Sequence, residues 1–233
     1  MGAGASQGLN AASNAQLAAE LAATTSVPAS RITPAVKEFA VRLKSALSTE
    51  DGWQELQHLF KSLRASLDEA VSSEEWGQMV YQNEELCLKY FGNSTPDEIA
   101  EQFTRLEEGK TRLDWSEFVD GAISLSATVT LAEALSTVEG EAELRSIFDT
   151  IETEDDGRVC LLDWGAFIVR DRDVLARFFG LDADASSRFQ AFFMAGRVDT
   201  WIIKTFHRLG FNEEDLVTWE DFRVGSCGLA TGD

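Results

Sequence analysis

The sequence is poor in proline, cysteine, histidine and basic side chains, and each shortage narrows what the chain can be. Three prolines, Pro28, Pro34 and Pro96, are spread over 233 residues, so little stops helices from running long. Three cysteines, Cys87, Cys160 and Cys227, are odd in number and far apart. Neither a disulfide framework nor a zinc knuckle follows, and a reducing compartment is the simplest reading. The two histidines, His58 and His207, each fall inside an expected helix and give Ser–His–Asp or Cys–His catalysis little to draw on. Alternating strand patterns are missing, so no strand precedes a glycine-rich phosphate loop. A charged-then-apolar leader and an apolar run near ~18 residues are missing too. The expectation is a soluble cytoplasmic protein that is not an enzyme.

Lys and Arg number 20 against 40 acids, a formal charge of −20. Phosphate binding needs clustered cations, so nucleic acid is excluded as a partner. The charge is also uneven. Residues 1–48 carry Arg31, Lys37, Arg42 and Lys44 against Glu20 and Glu38, leaving the rest of the chain at −22. Apolar residues make up 44% of the chain and aromatics 10%, enough to fill a packed interior.

Residues 1–30 are largely Ala, Ser, Gly, Asn and Gln without an aromatic, the composition of a flexible tail. Thr33-Pro34 reads as an N-cap with proline at the first helical position. Behind it Val36, Phe39, Ala40, Leu43 and Leu47 lie on one helical face, which gives an amphipathic helix within 31–48. Lys37 and Lys44 flank that stripe. Thr95-Pro96-Asp97-Glu98 is a capping box and marks another helix start. The body reads as all-α.

Self-similarity organises that body. Four segments share Phe-x-x-Leu/Ile, a polar stretch, an aliphatic residue, then an acid followed by an aromatic. They are Phe60, Leu63, Val71, Glu75, Trp76; Phe103, Leu106, Leu113, Glu117, Phe118; Phe148, Ile151, Val159, Asp163, Trp164; and Phe206, Leu209, Val217, Asp221, Phe222.

In this repeat the chain resembles the EF-hand family, helix–loop–helix units related to calmodulin. The resemblance implies two paired lobes made of four such units, with extra helices and a flexible N-terminal arm. The lobes would cover 49–128 and 129–225, the latter with inserted helices, before a tail at 226–233. It implies pairing of Val71 with Leu113 and of Val159 with Val217 across neighbouring loops. Ca²⁺ takes six to eight oxygens, supplied by loop positions 1, 3, 5, 7, 9 and 12, with Gly at 6 for the sharp turn. Only the third loop approaches that set. The implied ligands are Glu152, Glu154, Asp156, Arg158 through its carbonyl, Cys160 through water or carbonyl, and Asp163, with Gly157 at the turn. Glu at position 1 and Asp at position 12 depart from the pattern, which implies one weak site for Ca²⁺ or Mg²⁺. A competing alignment of Leu162-Asp163-Trp164 with Leu113-Asp114-Trp115 puts Ala166 at the final position. In the first loop Arg64 stands at position 1 and Glu69 at position 6. The second loop is one residue short and contains Lys110. The fourth begins at Gly210.

Met1-Gly2-Ala3-Gly4-Ala5-Ser6 fits the N-myristoylation pattern, with Gly2 as acceptor, and is similar to the start of myristoylated calcium sensors related to recoverin. The reading is a calcium-binding regulatory or adaptor protein, held peripherally at a membrane through an N-terminal lipid. Its partner would be a helix or amphipathic segment of a target protein. The alternative is a metal-independent helical adaptor, or an accessory subunit, using the four units as scaffold.

Overall fold

The computed structural model describes residues 32–64, 66–107, 109–151, 157–181, 197–212 and 215–227. Helix α1 (Pro34–Leu47) starts where Thr33 accepts a hydrogen bond from the Val36 amide and Pro34 fixes the first turn. Its buried face is the stripe read from the sequence, Val36, Phe39, Ala40, Leu43 and Leu47, together with Ala46. Thr49 caps α2 (Glu50–Leu63) in the same way. A two-residue strand β1 (Val71–Ser72) then leads into α3 (Ser73–Gln82). A single helical turn, Glu84–Leu86, and a π-helical turn, Cys87–Phe91, connect α3 to α4 (Pro96–Thr104). As the Thr95–Glu98 pattern requires, α4 opens on a capping box.

The chain continues through the short 3₁₀ turn Arg105–Glu107 and β2 (Arg112–Leu113) into α5 (Trp115–Leu135). After it come α6 (Val138–Ile151), β3 (Arg158–Cys160), α7 (Leu161–Arg170) and α8 (Arg172–Phe179). The last elements are α9 (Arg197–Arg208), β4 (Leu216–Thr218) and α10 (Trp219–Cys227). The architecture is predominantly helical. Among the described residues the strands form two antiparallel pairs, β1 with β2 and β3 with β4. Val71 faces Leu113 in the first and Val159 faces Val217 in the second. Those are the partners expected from the recurring aliphatic position, and all four side chains are buried.

The repeat is a core pattern. Phe60, Trp76, Phe103 and Phe118 lie in one aromatic cluster, with Trp76 and Phe118 centroids 5.0 Å apart. Phe148, Trp164, Phe206 and Phe222 form the second, with Trp164 and Phe222 at 5.1 Å. Every one of these eight rings is at most 1% exposed. Rings buried edge-on or tilted at these distances add to the area term that drives folding.

Helix α5 joins the halves. It runs through residue 128 without a break, so the expected lobe boundary falls inside one helix. It packs against α1, α8, α9 and α10. By length and hydropathy it could cross a membrane, yet 83% of its apolar window is buried inside the protein. At Gly121 a Cβ would sit 2.3 Å from the Leu106 carbonyl oxygen, so the 3₁₀ turn can lie on α5 only because that side chain is missing.

Candidate cation-binding loops

Each of the four repeat loops ends at a strand and hands the chain to an outgoing helix, and in three of them the acid at its end caps that helix. In the first loop the Ser72 hydroxyl accepts from the Glu75 amide at 3.2 Å, while Glu75 Oε2 accepts from the Ser72 amide at 3.0 Å. Asp114 and Glu117 repeat the arrangement at 2.8 and 3.0 Å. Thr218 and Asp221 do so at 3.2 and 3.1 Å. These acids satisfy orphan amides at helix N-termini. The third loop differs. Cys160 supplies no side-chain cap to α7, and among the described residues the Asp163 carboxylate has no hydrogen-bond or ion-pair partner.

The first loop holds a cation of its own. Arg64, only 17% exposed in its side chain, pairs with the Glu75 carboxylate. The same guanidinium donates to Leu63 O at 2.7 Å and to Ala70 O at 3.2 Å. Arg112 reaches across from β2 to the Ala70 carbonyl at 2.8 Å. The Arg64 guanidinium, then the Ser72 amide and hydroxyl, draw the Glu75 carboxyl down from its ordinary 4.5 to about 2. A depressed folded-state pKa contributes stability that is complete above 4.5 and lost as pH falls towards 2. Glu75 is 42% exposed, so solvent screening reduces this to about 1 kcal/mol. Urea midpoints of wild type and Glu75→Gln should therefore differ at pH 6 and converge towards pH 2. A pH-independent difference would assign the role of Glu75 to the capping geometry alone.

The second loop is also occupied by cations. Lys110 Nζ lies 3.0 Å from Glu117, and Lys204 of α9 pairs with Glu107, whose side chain is 14% exposed. Burial alone would raise the Glu117 carboxyl; the Asp114 amide and Lys110 outweigh it and hold it low. In the fourth loop Thr218 lowers the Asp221 carboxyl, with a smaller contribution from the charge of Arg158.

Of the expected third-loop ligands, Arg158, Cys160 and Asp163 are placed at β3 and the first turn of α7. Glu152, Glu154 and Asp156 lie outside the described residues, as does Gly2. Gly157 has φ 74°, a left-handed backbone that glycine adopts without strain. Among the described residues, no group of three His, Cys, Asp or Glu side chains converges as a metal centre.

Two clefts open on the surface of the described residues. One, about 420 Å³, is lined by Gln54, Glu55, Gln57, His58 and Lys61; the other, about 600 Å³, by Phe167, Arg170, Asp171, Arg172 and Asp173. Neither lining contains a Ser, Cys or Thr nucleophile.

From the sequence, Arg64 and Lys110 are cations inside loops that lack the ligand set; in the structure each binds the acid closing its own loop. The signal was available as opposite charges at the first and last positions of the first loop. The Lys204–Glu107 pair spans 97 residues and had no local signature. Compared with known proteins, the chain matches no family model, no curated protein and no solved structure.

Proposed function

We propose that the protein is a non-enzymatic, EF-hand-like regulatory adaptor in which the third loop alone takes a divalent cation, Ca²⁺ or Mg²⁺, and takes it weakly. The observation that carries this reading is the difference in how the closing acids are used. Glu75 and Glu117 cap helices and pair with Arg64 and Lys110, and Asp221 caps its helix. Asp163 does neither. Position-7 and position-9 oxygens of that loop would come from Arg158 and Cys160, and the remaining ligands from Glu152, Glu154 and Asp156. An ion there would join the end of α6 to the start of α7.

The target is an amphipathic segment of another protein. Exposed apolar side chains in the second half support this: Val138, Leu162 and Leu216, each beside an acid in sequence (Glu139, Asp163 and Asp215). Such a surface suits a helix with apolar and basic faces. Lipid at Gly2 would add a membrane contact.

Calorimetric titration of the full chain with CaCl₂ should give one site in the range of about 10⁻⁵–10⁻³ M, the weak end for such loops. Asp163→Ala and Asp156→Ala should each remove it. A wild-type chain with no site would favour the metal-independent adaptor, and a site surviving both changes would place binding elsewhere.

A further inference from the structure

We propose that Arg64 is the built-in cation of the first loop: its guanidinium holds, from within the chain, oxygens that would otherwise take a hard divalent ion. The loop then stays closed without metal, and it becomes a divalent-cation site when that guanidinium is replaced by an acid.

The geometry is that of a bound cation. Three donors of one planar group reach the carbonyl ending α2 (Leu63), the carbonyl before β1 (Ala70) and the carboxylate in the first turn of α3 (Glu75). In the register of the repeat, Ala70 and Glu75 are positions 7 and 12, two of the oxygens a metal would use. Arg112 takes one lone pair of the Ala70 carbonyl and leaves the other, since a carbonyl has two. A guanidinium keeps its charge at every physiological pH and presents a fixed fork of donors. Unlike an ion in exchange with solvent, it cannot leave. The link between α2 and α3 is therefore permanent, and this half of the molecule does not follow divalent-ion concentration.

What the loop lacks for metal is an oxygen at position 1. Ser66, Asp68, Ser72 and Glu75 already stand at positions 3, 5, 9 and 12, with the Ala70 carbonyl at 7. Glu69 occupies the turn where glycine is preferred, which limits affinity.

This inference uses the loop register of the proposed function but not metal binding in the third loop, so it is tested in full-length protein carrying Asp163→Ala. In that background Ca²⁺ should produce neither binding heat nor a change in Tm. R64M, which keeps the bulk and removes the donors, should lower Tm by roughly 5 °C in EDTA and should not respond to Ca²⁺. R64D should also melt lower in EDTA, and about 10 mM Ca²⁺ should restore its Tm, with one new calorimetric site near ~10⁻³ M. Wild-type-like melting of R64M would overturn the proposal. So would an R64D protein, folded or unfolded, that Ca²⁺ does not stabilise. A Ca²⁺ response already present in the Asp163→Ala parent would count instead against the third-loop assignment, and the R64D difference would still be read relative to that parent.

Discussion

Trp201→Ala is expected to cost about 4–5 kcal/mol of stability, the upper range for removing a buried indole. Trp201 is 0% exposed on α9, where that helix lies against α5. Its Nε1 donates to Asp120 Oδ1 at 3.0 Å, and Asp120 is itself only 4% exposed. Truncation opens a large void and removes a hydrogen bond to a buried carboxylate, and both costs have the same sign. The same seam continues one turn on, where Thr205 lies near the Ser124 carbonyl, and ends where Arg208 donates to the carbonyls of Arg105, at 2.9 Å, and Leu106. Through these bonds α9 is tied both to α5 and to the turn that closes the first half. Trp201→Phe restores most of the volume but not the donor, and should cost about 1–3 kcal/mol. Urea midpoints with near-UV dichroism measure both. A loss below about 1 kcal/mol for Trp201→Ala would mean that α9 is dispensable to the joint between the halves.

That seam was illegible in the sequence, and the reason is physical. Asp120, Ser124, Ser126 and Thr128 lie within a largely apolar helix and are all buried. Linear spacing does not distinguish a polar residue facing water from one facing another helix; Asp120 and Ser124 meet partners some 80 positions away, while Ser126 and Thr128 bond within their own helix. The repeat was legible because it is local and apolar. The eight core rings and both strand registers follow from side chains that have to be buried whatever the distant chain does. Arg64 lies between these cases. Its charge and position were evident, but whether it repelled ions or replaced one depended on where the guanidinium came to rest. For the third loop, Gly157 has a left-handed backbone and Asp163 stands in the first turn of α7, while Glu152, Glu154 and Asp156 fall outside the described residues.

Phe39→Asp is expected to cost about 4 kcal/mol or more, whereas Lys37→Glu should change stability by under about 1 kcal/mol. Phe39 is 3% exposed, and its ring centroid lies 5.6 Å from that of Phe91 in the π-helical turn. A carboxylate at that position would be buried against apolar neighbours, one of the few ways a single substitution destabilises strongly. Lys37, by contrast, pairs with Glu133 across a surface where both side chains are about half exposed, and exposed pairs contribute little. The contrast bears on the proposed lipid anchor. A single myristoyl chain partitions only at about 10⁴ M⁻¹ and needs a second signal for firm attachment. Helix α1 is the basic-edged candidate for that signal, yet its apolar face is spent on α5 and the π-helical turn, and what is left for a membrane is its basic edge and the exposed Val41. Myristoylated protein should therefore bind anionic vesicles reversibly, lose most binding with Gly2→Ala, and lose little with Lys37→Glu combined with Lys44→Glu. Release from vesicles by the lysine change, together with a Phe39→Asp protein as stable as wild type, would reassign α1 from the core to the membrane.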